Sequence, residues 1–140
     1  MAVVVRVATV EDIPDMHRVR LSVIENRLTS SAITEASYVP EIQKRGRGWV
    51  AVEDGQVLGF AVGTRENGNI WAVFVTPAAE GRGVGRRLHD EMVAWLFDQG
   101  CRRLWLSTEP GTRAQRFYES AGWQFRQRLP GGEAMYELLS

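Results

Sequence analysis

The apolar positions of this chain change period several times, and each change outlines an element. Val3 to Ala8 is short and β-branched and reads as a first strand. Ile13, Met16, Val19 and Val23 then recur at helical spacing, behind a start signal made by Thr9, Asp12 and Pro14. That helix is expected to end near Glu25-Asn26-Arg27. After a small-residue link from Leu28 to Ile33, Thr34 is placed to cap a second helix over Glu35 to Lys44. Trp49 to Glu53 and Gln56 to Val62 flank Asp54-Gly55, a dipeptide that favours a two-residue hairpin. Asn67-Gly68-Asn69 turns the chain into an apolar run, Ile70 to Val75. Three consecutive strands joined by tight turns predict an antiparallel meander.

Beyond Pro77 the pattern changes. Glycines at 81, 83 and 85 lead directly into Val84, Leu88, Met92, Trp95 and Leu96, the apolar stripe of a third helix that Gly100 is placed to cap. Arg103 to Ser107 is a strand again. A strand, crossover helix and strand of this length predict a parallel pair with a right-handed connection. Ala114, Phe117, Tyr118 and Ala121 share one face of a fourth helix stopped by Gly122. Trp123 to Leu129 and Glu133 to Leu139, joined through Pro130-Gly-Gly132, read as a closing hairpin. The fold class is therefore mixed α/β (α+β): one domain over residues 1–140, with a mostly antiparallel sheet and one parallel strand pair.

Composition narrows the function. A chain of 140 residues with 44% hydrophobic content fills one core. Seventeen basic residues balance seventeen acidic ones with no basic block, so nucleic-acid binding has no electrostatic footing. No apolar run approaches membrane-spanning length, and no signal peptide is evident. The lone Cys101 excludes an internal disulfide, and with His17 and His89 it makes a poor metal set, so no metal is expected. These features point to a cytoplasmic protein.

The stretch from Trp71 to Leu88 carries the chemistry. A strand, a glycine loop and a helix in that order gather backbone N–H groups and a helix N-terminus around one concavity, which favours a phosphate. It lacks the Gly-Lys-Ser/Thr ending of a nucleotide P-loop. Gly81, Gly83 and Arg86 also miss the dinucleotide G-x-G-x-x-G spacing. The segment Glu80-Gly-Arg-Gly83-Val-Gly85 resembles the acetyl-CoA loop of the GNAT superfamily of N-acetyltransferases, written Gln/Arg-x-x-Gly-x-Gly/Ala, with Glu80 in place of the basic or amide residue. A second stretch, Glu109 to Trp123, resembles the family's Asn-x-x-Ala-x-x-Phe/Leu-Tyr-x-x-x-Gly-Phe. Ala114, Phe117, Tyr118, Gly122 and Trp123 fall in register, and Gly111 stands at the asparagine position.

The resemblance covers nearly the whole chain, and its implications are specific. It implies helices on both faces of the sheet and a splayed parallel pair, Ile70–Thr76 and Arg103–Thr108, with acetyl-CoA as co-substrate. The pantetheine arm would pair with backbone around Phe74 and Val75, as an added strand. The pyrophosphate would sit on the amides of Arg82, Gly83, Val84, Gly85 and Arg86, with side-chain charge from Arg82, Arg86 and Arg87. A bulge in the Trp71–Phe74 segment would offer an N–H to the thioester oxygen. Tyr118 matches the family tyrosine aimed at the CoA sulfur and is the general-acid candidate; a core-facing aromatic is its alternative. Glu109 and Glu25 are candidate bases for the acceptor amine, and Asn26, Tyr38 and Trp71 are candidate substrate contacts. His89, on the third helix, is expected at the surface or in packing. No nucleophile–His–acid set assembles, which fits direct attack by a primary amine, on a small molecule or a peptide, in a ternary complex. The alternative is an acyl-CoA-binding sensor that does not turn over. An exposed C-terminal strand, Glu133 to Leu139, would allow a homodimer.

Overall fold

Alternation along two neighbouring strands decides how the molecule is layered. In the computed structural model, which describes residues 2–23 and 33–140, Trp49 and Ala51 are buried toward one face of the sheet while Val50 is buried toward the other. Ala61, flanked by Phe60 and Val62, repeats this on the next strand. Strands whose two faces are both apolar need helices on both sides.

The elements are β1 (Val4–Val7), α1 (Ile13–Val23), α2 (Glu35–Pro40), β2 (Gly46–Glu53), β3 (Gln56–Thr64), β4 (Asn69–Val75), α3 (Val84–Asp98), β5 (Arg103–Thr108), α4 (Arg113–Ser120), β6 (Gln124–Arg128) and β7 (Ala134–Leu139). Ile13, Met16 and Val19 of α1, with Tyr38 of α2, cover Val50, Phe60, Val62 and Ala72. Val84, Leu88, Met92 and Leu96 of α3, with Tyr118 of α4, cover Trp49, Ala51, Ala61 and Leu104 on the opposite face. Asp54 (φ 52°) and Gly55 (φ 77°) make the tight β2–β3 turn, a left-handed pair that aspartate and glycine tolerate.

The seven strands run in the order β1-β2-β3-β4-β5-β7-β6. All neighbours are antiparallel except β4 and β5, which pair in parallel at a single position, Asn69 with Trp105. Past that point the two strands part, and the sheet opens in a wedge between them.

Two expectations need correction. The C-terminal strand is not an open edge, because β7 lies between β5 and β6 and is hydrogen-bonded on both sides. The outer strands are β1 and β6. The second helix does not run regularly to Lys44. Pro40 removes a backbone donor and crowds the preceding turn, and the chain widens into a π-type turn over Glu41–Arg45. The expected end of the first helix, with Glu25 and Asn26, lies outside the described residues.

Candidate active site

Backbone conformation builds one wall of the site. After a short 3-10 turn at Pro77–Ala79, Gly81 and Gly83 adopt φ of 80° and 77°, where a side chain would be strained. Gly83 is the N-cap of α3 and offers no side chain to the first helical N–H groups, so these donors face open space. They border a groove of about 370 Å³ lined by Phe74 and Val75 from β4, Gly83 and Gly85 from the loop, and Phe117 and Tyr118 from α4. Val75 pairs with Gly59 of β3 on one side, and its other edge is left open by the parting of β5. The groove therefore joins three unsatisfied features: a strand edge, a helix N-terminus and the wedge in the sheet.

Tyr118 is held rigidly. Its ring is 7% exposed and packs edge-on against Phe117 and Trp123, with ring centroids 5.2 and 5.6 Å away. Among the described residues its hydroxyl has no hydrogen-bond partner, and burial pushes its pKa well above that of an ordinary phenol. The ring is part of the core, and Tyr118 is also among the residues that line the groove. Behind it lies His89, buried in packing, one of the two placements expected for it. Its Nε2 accepts from the Trp123 indole N–H (2.9 Å), so its Nδ1 carries the proton and donates to Asp90 (2.8 Å). Burial lowers the His89 pKa despite the carboxylate. The stripe drawn through Leu88 and Met92 missed it, because a histidine between them reads as polar until both ring nitrogens find partners.

The positive charge in the groove is arranged differently from expectation. Arg82 turns its side chain away and forms a fork with Glu53, at 2.6 and 3.1 Å, holding that carboxyl below its ordinary pKa. Arg87 donates to the Val3 carbonyl (2.8 Å). Arg86 lines the groove, paired with Asp90 one turn on (3.0 Å). The other cation is Arg113, at the start of α4, 3.2 Å from the off-pattern Glu80, and both residues line the groove. Arg113 was not singled out from sequence. Its position beside Ala114, inside the second motif, was the available signal.

Of the two base candidates, one lies within the described residues. Glu109 is exposed and stands outside the groove walls, because its carbonyl accepts from the Thr112 hydroxyl (2.7 Å) in the turn that starts α4. Glu25 lies outside the described residues, as does Asn26. Tyr38 and Trp71 do come together, ring centroids 5.0 Å apart, on the α1 side of the sheet. Tyr38 is fully buried, and its hydroxyl is 3.1 Å from the His17 Nδ1. The β3–β4 register slips between Val62 and Gly63, so Trp71 is the extra residue of a bulge two positions before the groove begins at Val73.

A glycine-capped helix, an open strand edge and a buried tyrosine around one wedge narrow the chemistry, and comparison decides the family. The family model described as acetyltransferase (GNAT) family matches residues 11–123, which includes every groove-lining residue. The chain belongs to this family. The GNAT fold extends over its whole length: the PaiA N-acetyltransferase of Thermoplasma acidophilum, solved in complex with coenzyme A, superposes with a TM-score of 0.85 at 14% identity, each chain covered in full. Among curated relatives, the uncharacterized N-acetyltransferase ycf52-like of Prochlorococcus marinus is 34% identical over 71 residues, 49% of this chain and 38% of that one. The ribosomal protein bS18-alanine N-acetyltransferase of Haemophilus influenzae is 26% identical over 74 residues, 51% of each chain. The matches thus span about half the length, or less, of these curated GNAT relatives. Among the described residues, no helix is long and apolar enough to cross a membrane.

Proposed function

We propose that this chain transfers an acetyl group from acetyl-CoA to a primary amine by direct attack in a ternary complex. One observation supports the reading above others: a single groove runs from the uncapped N-terminus of α3, past the open edge at Phe74 and Val75, to the face of Tyr118. That sequence of features suits a diphosphate, then an extended diamide, then a thioester sulfur. The glycine turn fits the diphosphate, since nothing lies within 4 Å of where a Cβ at Gly81 or Gly83 would stand. Phe74 and Val75 offer a strand edge to the two pantetheine amides. Arg86 and Arg113 supply charge, and the Glu80 carboxylate is offset by Arg113.

Tyr118 acts on the leaving sulfur. Its raised pKa keeps the phenol protonated at any working pH, so it donates a hydrogen bond as the C–S bond breaks. The attacking nitrogen forms the new C–N bond and gives up one proton. The departing thiolate takes up a proton, so the exchange balances without an oxidant or reductant. The N–H displaced by the Trp71 bulge is suited to the thioester oxygen while the tetrahedral centre forms. The only cysteine, Cys101, donates to the Arg65 carbonyl beside a second, separate pocket, which leaves no thiol near the groove for an acyl-enzyme.

The test is thiol release from acetyl-CoA with a panel of amines, alongside calorimetric titration with CoA. Binding and amine-dependent thiol release are expected together. CoA binding with no acetylation of any amine would instead favour a sensor, and absence of CoA binding would defeat both readings.

A further inference from the structure

The α1 face of the sheet carries a cation that the reading above does not use. Arg20 of α1 lies over the rings of Trp71 and Phe74, its guanidinium carbon 5.3 and 5.0 Å from their centroids. Stacking of this kind engages the flat faces of the guanidinium. It leaves the N–H groups on the edge needing acceptors. The Nε and Nη1 atoms of Arg20 are buried and have no hydrogen-bond partner among the described residues. Burying charged donors without partners is costly, and such groups are usually paired with an anion.

The surroundings explain why that anion should come from outside the described residues. Tyr38 reaches the same cluster: its hydroxyl lies 3.1 Å from the His17 Nδ1 and faces the Arg20 guanidinium. Burial raises the pKa of the phenol and the guanidinium works against that rise, but a neutral phenol does not balance the charge. Carboxylates that could reach Arg20 are absent from its ion pairs among the described residues, where Asp15 serves Arg18. Meanwhile Phe74 both supports Arg20 and lines the groove, and Val23, one turn along α1 from Arg20, lines it too. The guanidinium, with two nitrogens unpartnered among the described residues, therefore stands beside the acyl end of the groove, on the side away from α3.

We infer that Arg20 anchors a carboxylate of the acceptor, so that the substrate class is amino acids or other amines bearing a carboxylate close to the amine. The inference rests on the acetyl-transfer reading and names the acceptor for that same site. A guanidinium binds a carboxylate through two parallel N–H···O bonds, which fixes orientation as well as affinity. It selects against polyamines, which are cationic throughout, and against internal lysine side chains, which carry no neighbouring carboxylate.

The experiment compares each L-amino acid with its own amide in the thiol-release assay, using the full chain and acetyl-CoA. The amide has the less basic amine and so more of the attacking free base, which makes preference for the acid a sign of carboxylate recognition. At least one acid is expected to exceed its amide by about 30-fold in kcat/KM, the scale of a charge-assisted pair. Arg20→Gln is expected to bring that ratio close to one while leaving the Kd for CoA unchanged by calorimetry. Arg20→Lys keeps the charge without the fork and should give an intermediate ratio, which preserves the test if the glutamine variant folds poorly. Equal or better use of amides, or of simple amines, with CoA bound normally would overturn the anchor and leave acetyl transfer standing. No acetylation of any amine would overturn both.

Discussion

Glu80 and Arg113 join the two walls of the groove, carboxylate to guanidinium at 3.2 Å, from the loop before α3 to the first residue of α4. The pair converts an apparent flaw into a local exchange of charge. A glutamate beside a diphosphate site would repel its ligand, and an arginine drawn in from the facing helix neutralises it. Arg113 is 67% exposed, so the pair adds little to stability. Glu80→Gln is therefore expected to tighten CoA binding by about two- to fivefold, with stability changed by less than about 0.5 kcal/mol. Arg113→Ala should weaken binding by a similar factor. Calorimetry on both variants checks this; weaker binding in Glu80→Gln would contradict it.

Tyr118→Phe removes one hydroxyl from a ring that keeps its packing against Phe117 and Trp123. Turnover should fall by about 100-fold, within the range for a single proton donor, while the Kd for CoA changes by less than about threefold. Because the hydroxyl has no partner among the described residues, the denaturation midpoint should stay close to wild type. Unchanged kcat at saturating substrates would remove Tyr118 from the chemistry.

Gly83→Glu tests the cradle. A left-handed φ of 77° costs a residue with a Cβ on the order of 1 kcal/mol. The added carboxylate would also occupy the proposed site of the diphosphate. CoA binding should drop at least about 100-fold, while a folded, cooperative unfolding transition remains. Wild-type affinity in that variant would show that the ligand lies elsewhere.

His89 sets a pH dependence. Its folded pKa lies below the ordinary imidazole value because burial disfavours the charged form. The unfolded chain therefore binds the extra proton first, and stability is lost as pH falls below about 6.5, by up to about 1.4 kcal/mol per pH unit. Asp12, whose carboxyl is depressed chiefly by its fork with Arg6, loses its contribution only at lower pH, below the ordinary aspartate range. Denaturant midpoints at pH 7.5 and 5.5 should differ in the wild type and converge in His89→Gln. An equal pH effect in both proteins would place the titrating group elsewhere.

Some of this site was legible in the chain because its demands are local. Gly81 and Gly83 stand where the backbone turns left-handed, and their spacing before an apolar helical stripe is visible without coordinates. Phe117 and Tyr118 were placed by their distance from Gly122 in a helix that ends there. The Asp54-Gly55 hairpin followed from two residues that accept positive φ. Where reasoning from the chain went astray, partners distant in sequence decided. Glu53 drew Arg82 away from the groove, 29 residues along the chain. Trp123, 34 residues away, decided between the two placements left open for His89 by giving its ring a buried partner. The β7 strand lost its open edge because β6, its hairpin partner, turned outward while β5 took the other side.

The sequence alone determined the element order and the glycine-capped helix, since backbone preference and periodicity act over a few residues, and two of its motifs resemble those by which the family holds a CoA thioester. Only the tertiary structure decided where β4 and β5 part, which arginines face the groove, and that Arg20 lies stacked beside it with two nitrogens unpartnered among the described residues. Charges and ring stacks at such distances depend on three-dimensional neighbours, and periodicity along a chain carries no record of them.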